Sequence, residues 1–217
     1  MSERARPYPL FLLLEDRPVL VVGAGGVGAR KVAALLESGA AVTVVAPEVG
    51  DEVRALAEAG RVALRERRFA DRDAEGMAVV IAATSSREAN EAVAGAARRR
   101  GIPINVVDVP DLCDFHVPAV VRRGPIAVAL SSSGAAPGLT RRLARELQAE
   151  LESSLGDYAE LVEAARLRIR AIFPDDSEQR RRALESVLDS EARELLASGR
   201  PDEARAAIER VLEELAR

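Results

Sequence analysis

The stretch VLVVGAGGVGARK sets Gly23, Gly25 and Gly28 in the spacing G-x-G-x-x-G, directly after an apolar run and at the opening of a helical pattern. Each glycine in that context has its own duty. One makes the tight turn, one lets the backbone approach a pyrophosphate, and one lets helix and strand pack closely, while the helix start offers N–H groups and partial positive charge. The spacing points to a dinucleotide; a tight turn that binds nothing is the alternative. The acid that commonly ends the second strand of such a unit is missing, because that strand ends at Ala46-Pro47. Glu48 follows about twenty residues after the turn, the separation expected of a ribose partner. It reads equally well as a charge favoured at a helix start. No arginine immediately follows the strand to meet a 2′-phosphate, Arg54 lying further on, and this favours NAD over NADP. Thr84, after the fourth strand, falls at the carboxyl edge of the sheet, where ligands of such folds bind.

The second stretch with chemical content is GIPINVVDVPDLCDFHVPAVV, residues 101–121, which holds the sole cysteine, Cys113, and the sole histidine, His116. Asp108 stands there between valines, and an unpartnered buried carboxylate costs several kcal/mol, roughly. At the end of a fifth strand it could accept a proton or briefly hold a cation; it could also cap the turn VPDL through an Asx bond. One histidine and one cysteine without a second pair make no structural metal site, so no metal ligand is assigned. His116 reads as a packed or hydrogen-bonded residue, and Cys113 as a small core hydrophobe. The third stretch, SSSGAAPGLTRR, is a Ser-Gly turn leading into a helix. It offers hydroxyls and backbone N–H groups to an anion, with Arg141 and Arg142 able to pair with carboxylates or simply to be solvated. Arg98–Arg100 reads as a solvated helix end. Lys31 is the only lysine among 31 basic residues, read first as a compositional habit.

These residues need a scaffold. Val19–Val22, AVTVVAP, RVALRER, MAVVIAAT and IPINVVD read as five strands. Helices stand between them at Val27–Ser38, at Val49–Ala59 and from a Ser85/Glu88 capping box to Gly101. Such alternation predicts a parallel sheet covered on both faces. AVVRRGPIAVALSSSG then reads as two strands around an Arg-Gly-Pro turn. From Pro137 the pattern is helical, with breaks near Gly156, Pro174 and Gly199–Pro201. At 217 residues with net charge −4, the chain can bury a sizeable core and gives no reason to expect nucleic acid or an anionic membrane as partner. A single cysteine suits a reducing cytosol, and cytoplasmic location is expected. The start MSERARPYPLFLLLEDRPVL has a basic end and an apolar run, but Pro7 and Pro9 interrupt it, no small-residue cleavage site follows, and a strand does.

With the glycine turn, INVVD and FHVPAVVRRGPIAVALSSSGAAPGLTRRLARELQ on the page, the chain resembles the precorrin-2 dehydrogenase / sirohydrochlorin ferrochelatase family, which includes the N-terminal half of bacterial sirohaem synthase. The resemblance runs from about Tyr8 to Gln148. It implies a Rossmann-like domain over residues 1–113, a small dimerisation region over 114–150 and an α-helical domain over 151–217. It implies NAD-dependent oxidation of precorrin-2 to sirohydrochlorin, with Fe²⁺ insertion as a second step that some relatives leave to another protein, and an intertwined homodimer. Gly26 and Val27 match the family's NAD-contacting turn residues, Pro47 with Glu48 its second contact pair, Asp108 its active-site aspartate, and Ser132 a serine near the tetrapyrrole. A nucleotide-sensing regulatory module without catalysis is the competing expectation. A hydroxy-acid dehydrogenase fits less well, since His116 alone cannot supply a His–Asp relay.

Overall fold

The computed structural model describes residues 7–216, so the basic start considered above lies outside the described residues. Five strands form one parallel sheet: β1 (Pro18–Ala24), β2 (Ala41–Val49), β3 (Ala63–Arg65), β4 (Val79–Ala82) and β5 (Ile104–Val106), in the order β3-β2-β1-β4-β5. Three helices, α1 (Gly26–Glu37), α2 (Asp51–Glu58) and α3 (Arg87–Arg99), connect them. Strand residues alternate between two apolar layers. Val19, Val21, Val42, Val44, Val79 and Ile81 pack with Ala29, Val32 and Leu35 of α1 and Val53 of α2. Leu20, Val22, Val80, Ala82, Ile104 and Val106 pack with Val93, Ala94, Ala96 and Ala97 of α3. A sheet buried on both faces explains why its strands read as valine runs rather than alternating patterns. The strand order reverses between β1 and β4, and the crevice outside the carboxyl ends at such a point is where open α/β sheets bind ligands.

The chain divides into two compact units, Met1–Val117 and Pro118–Arg217. The second unit opens with the antiparallel pair β6 (Ala119–Arg123) and β7 (Ile126–Leu130), joined at Gly124-Pro125 as expected. Then come α4 (Pro137–Glu150), α5 (Leu155–Ile172), α6 (Ser177–Leu188), α7 (Ala192–Ala197) and α8 (Pro201–Leu215). Tyr158, Ile169, Val187, Leu195, Leu196, Ile208 and Leu212 form the core of the last four helices.

Several local expectations are corrected. Strand β2 does not stop at Pro47 but runs to Val49, because the register jumps from Val22↔Val45 to Ala24↔Val49. Pro47 and Glu48 sit in that irregular stretch, where a missing N–H costs no ladder bond. Helix α3 is capped by Ser86, whose hydroxyl accepts from the Ala89 N–H at 3.2 Å, and not by Ser85. Strand β5 ends at Val106, two residues short of Asp108. The break expected near Gly156 is present at residues 151–154, and Gly156 itself is the second residue of α5: a methyl group there would meet Gly124 backbone nitrogen at 2.9 Å, so the glycine pair lets the helix touch the hairpin turn. A further break at Asp189–Glu191 separates α6 from α7 without any glycine or proline to announce it.

Candidate functional site

The glycine turn links β1 to α1. Gly23 has φ +105°, and a methyl group on it would lie 2.5 Å from the Ala83 carbonyl oxygen. At Gly28 a methyl group would lie 2.2 Å from the Gly23 carbonyl oxygen. These two positions exclude a side chain for reasons of packing. Gly25 and Gly26 are different: both are exposed, and a side chain there would meet nothing within 4 Å. Gly25 is the N-cap of α1 with no side-chain cap, and no acidic residue lies in the first turn. Among the described residues no partner is found for the N–H groups of Gly26, Val27 and Gly28. Bare amides, an unobstructed approach and the positive end of the helix make a cradle that fits a diphosphate.

The neighbouring strand ends frame this turn. Gly50 N–H donates to the Ala24 carbonyl at 3.1 Å, tying the end of β2 to it, and Pro47 and Glu48 are exposed on the same edge. On the other side, Gly23 abuts the Ala83–Thr84 peptide after β4. The Thr84 hydroxyl is spent on its own turn: it accepts from the Ser86 N–H at 3.2 Å and lies 2.8 Å from the Asn90 Oδ1. Buried Asn90 in turn donates through Nδ2 to the Thr84 carbonyl at 3.1 Å. Asn90 thus fixes the loop beside the glycines, a duty that its place on a charged helix face did not reveal.

Beyond β4 lies the loop after β5. Val107 N–H donates to the Ala82 carbonyl at 2.9 Å, and Val109 N–H closes a turn onto the Val106 carbonyl at 3.3 Å. Asp108 stands in that turn with φ +59° and is exposed rather than buried. Its carboxylate makes no hydrogen bond among the described residues, so the Asx alternative is not what the structure adopts. An aspartate can occupy the left-handed region, though it is uncommon there, and such departures gather at functional sites. The loop is pinned further along. The Cys113 Sγ accepts from Val106 N–H at 3.2 Å, Asn105 Nδ2 donates to the Phe115 carbonyl at 2.9 Å, and Asp114 accepts from Ile104 N–H at 3.3 Å. Burial pushes the Cys113 thiol up, which fits a structural thiol and not a nucleophile. His116 is exposed and makes no hydrogen bond among the described residues, contrary to the expectation of a packed or bonded ring.

The first unit therefore brings Glu48 and Pro47, the glycine turn, Thr84 and Asp108 to one edge of one sheet. Ser132, Arg141 and Arg142 belong to the second unit. Ser132 Oγ accepts from the Ala136 N–H at 3.0 Å and so shapes the turn before α4, with Ser133 and Gly134 at φ +54° and +81°. Arg142 is engaged with Glu146 at 2.7 Å along its own helix, while Arg141 is exposed. An exposed pair of that spacing is worth well under about 1 kcal/mol and yields readily to a better anion. Arg98, Arg99 and Arg100 are not merely solvated: they pair with Asp114, Asp71 and Glu75. No group of three or more His, Cys, Asp or Glu that could hold a metal ion exists among the described residues. No helix there is long and apolar enough to cross a membrane.

A parallel α/β sheet with an open glycine cradle at its switch point is a dinucleotide-binding domain. Residues 10–119 match the family described as "Putative NAD(P)-binding", and residues 154–212, on α5 to α8, match the "Sirohaem synthase dimerisation region". The chain belongs to the NAD(P)-binding family represented in sirohaem synthases. It is 45% identical over 208 residues to a siroheme synthase of Methylococcus capsulatus, covering 96% of this chain and 43% of that one. Against a siroheme synthase of Pseudomonas aeruginosa it is 44% identical over 206 residues, covering 95% and 43%. The chain thus spans less than half the length of the curated relatives it matches. Among solved structures, "SirC, precorrin-2 dehydrogenase" superposes with a TM-score of 0.75 at 26% identity, covering 94% of this chain and all of that one.

Proposed function

We propose that the chain oxidises precorrin-2 to sirohydrochlorin with NAD⁺. The observation that carries this reading is the edge of the sheet itself, where an unobstructed helix start and an unpartnered carboxylate are set by neighbouring strands. The likeness to a precorrin-2 dehydrogenase over all of that chain supports it. NAD, when bound, supplies the hydride acceptor. In this reading Gly25 and Gly26 let the diphosphate approach, and the amides of Gly26, Val27 and Gly28 hold it. Gly23 and Gly28 keep helix and strand close enough to aim them. Pro47 and Glu48 flank the ribose side, with Glu48 accepting from a hydroxyl. Thr84, its hydroxyl spoken for, lines the edge with its backbone. Oxidation of the macrocycle releases one hydride and one proton; Asp108 accepts the proton at a carboxylate oxygen and passes it to solvent.

Ser132, Arg141 and Arg142 are assigned to the carboxylates of the tetrapyrrole, Arg142 by exchanging Glu146 for the ligand. The relatives' name, siroheme synthase, supports Fe²⁺ as a second substrate, for which the Asp108 oxygen donors are suited. A homodimer belongs to the same proposal. Helix α4 buries none of its residues and shows Leu139 and Leu143, 55% and 42% exposed, while the two-stranded β6–β7 pair is too small to stand unsupported.

Calorimetry separates this reading from a nucleotide sensor. The enzyme binds both NAD⁺ and tetrapyrrole, whereas a sensor binds nucleotide and ignores the macrocycle. Asp108→Asn is expected to lower the rate of NADH formation about a hundredfold with NAD affinity kept, since asparagine tolerates the left-handed turn. An unchanged rate removes Asp108 from the mechanism.

A further inference from the structure

The start of α2 and the end of β3 are joined by one ion pair. Arg54 is the fourth residue of α2, and its backbone N–H donates to the carbonyl of Gly50, the residue that ties the end of β2 to Ala24 beside the glycine turn. Glu66 directly follows β3, whose last residue, Arg65, lies opposite Val45 of β2. The two side chains meet as a fork: Arg54 Nη1 donates to Glu66 Oε1 at 2.9 Å, and Nη2 donates to Oε2 at 3.1 Å. They are 44% and 48% exposed, so a ligand lying on this edge can reach both.

This is the ribose side of the cradle. In a parallel sheet with a glycine turn after β1, an acid beyond β2 binds the ribose 2′-OH, whereas an arginine nearby accommodates a 2′-phosphate. Glu48 takes the first of these places in the proposed function. Arg54 is the first arginine after β2 in the sequence, and the two terminal nitrogens that a phosphate would engage are both taken by Glu66. Two further arginines at the end of β3 are committed as well, since Arg65 and Arg67 donate to buried Asp73 at 2.7 and 2.6 Å. Arg68 is exposed and forms no ion pair among the described residues. A 2′-phosphate arriving here must break a bidentate pair and stand near Glu66, Glu48 and the acidic first turn of α2, Asp51 and Glu52. We infer that Glu66, by holding Arg54 in this fork, selects NAD against NADP at the ribose edge of the sheet. The inference rests on the dinucleotide reading of the glycine turn and is independent of the tetrapyrrole chemistry.

Calorimetric titration of the full chain with NAD⁺ and with NADP⁺ tests it. The wild-type protein is expected to bind NAD⁺ at least about tenfold more tightly than NADP⁺. Glu66→Ala frees Arg54 and removes a like charge, so NADP⁺ should bind about tenfold more tightly than in the wild type, with NAD⁺ changed less than about twofold. An exposed ion pair adds little to stability, so the fold is expected to survive. Glu66→Gln, which keeps the side-chain length without the charge, should shift NADP⁺ affinity in the same direction. Adding Arg54→Ala to Glu66→Ala should remove most of the gain, which separates Arg54 from Arg68, and raised salt should shrink it. Wild-type affinities that are equal for the two nucleotides, NADP⁺ affinity unmoved in both Glu66 variants, equal tightening of both nucleotides, or a gain that survives the loss of Arg54 each overturn the inference. A folded wild-type protein that binds neither nucleotide sinks the dinucleotide reading itself, and the inference with it.

Discussion

Substituting Gly28 and Gly25 by alanine separates the two duties that the glycine turn performs. At Gly28 the new methyl group would stand 2.2 Å from the Gly23 carbonyl oxygen, and that atom is backbone that cannot swing away. Helix α1 must retreat by about 1 Å to restore an ordinary contact, and a gap of that size forfeits a quarter to a half of the dispersion between facing atoms. The side chains that suffer are Ala29, Val32 and Leu35, all buried under the helix. Full burial of a valine or leucine is worth about 1.5–3 kcal/mol, so the retreat costs about 2 kcal/mol in total, within the range for overpacked cores. At Gly25 the methyl group meets nothing, and φ −78°, ψ −177° suits any residue, so alanine there costs at most about 1 kcal/mol as a poorer N-cap. It does, however, project where the diphosphate approaches. Urea unfolding and NAD calorimetry on both variants give the test. Gly28→Ala should lose about 2 kcal/mol of stability, and Gly25→Ala should keep stability but bind NAD at least about tenfold more weakly. Unaltered NAD affinity in Gly25→Ala, with the fold intact, would refute the assignment of this turn to the cofactor.

Two further outcomes follow from packing and charge. Asp73 is fully buried and accepts from Arg67, Arg65 and the Ala70 N–H, with Arg67 first among the causes that hold its carboxyl well below the usual carboxylate range. A carboxylate depressed on folding contributes stability that is complete above its unfolded value near 4 and is lost as pH falls toward the folded value. The stability gap between wild type and Asp73→Asn should therefore be widest at neutral pH and narrow on acidification; a gap independent of pH would contradict the ion-pair account. In the second unit, Gly156→Ala should cost about 1–3 kcal/mol by driving α5 off the Gly124 turn, read by thermal unfolding, and an unchanged midpoint would show that the contact is not tight.

The features that could be read from the sequence are those written into backbone requirements. The glycine spacing after a valine run located the turn, and the alternation of strands and helices gave the parallel sheet, because each strand needed burial on both faces. The helix stops at Gly39, Gly60 and Gly101 were legible because each adopts positive φ. Asp108 was found by its company, but for an inverted reason: valines on either side suggested burial, while the strand ends at Val106 and a left-handed turn lifts the carboxylate into the open. The extent of β2 was misjudged because proline at Pro47 reads as a stop, and only the register jump against β1 shows that it is tolerated. Asn90 was invisible, since its work is to hold a loop six residues away.

In the proposed function the glycine turn and Asp108 serve a single two-electron oxidation. Purified protein, NAD⁺ and precorrin-2 should be mixed without oxygen and followed by absorbance. One NADH is expected for each sirohydrochlorin formed, and no sirohydrochlorin when NAD⁺ is left out. Sirohydrochlorin appearing without NADH, or a folded protein that yields neither, would contradict it.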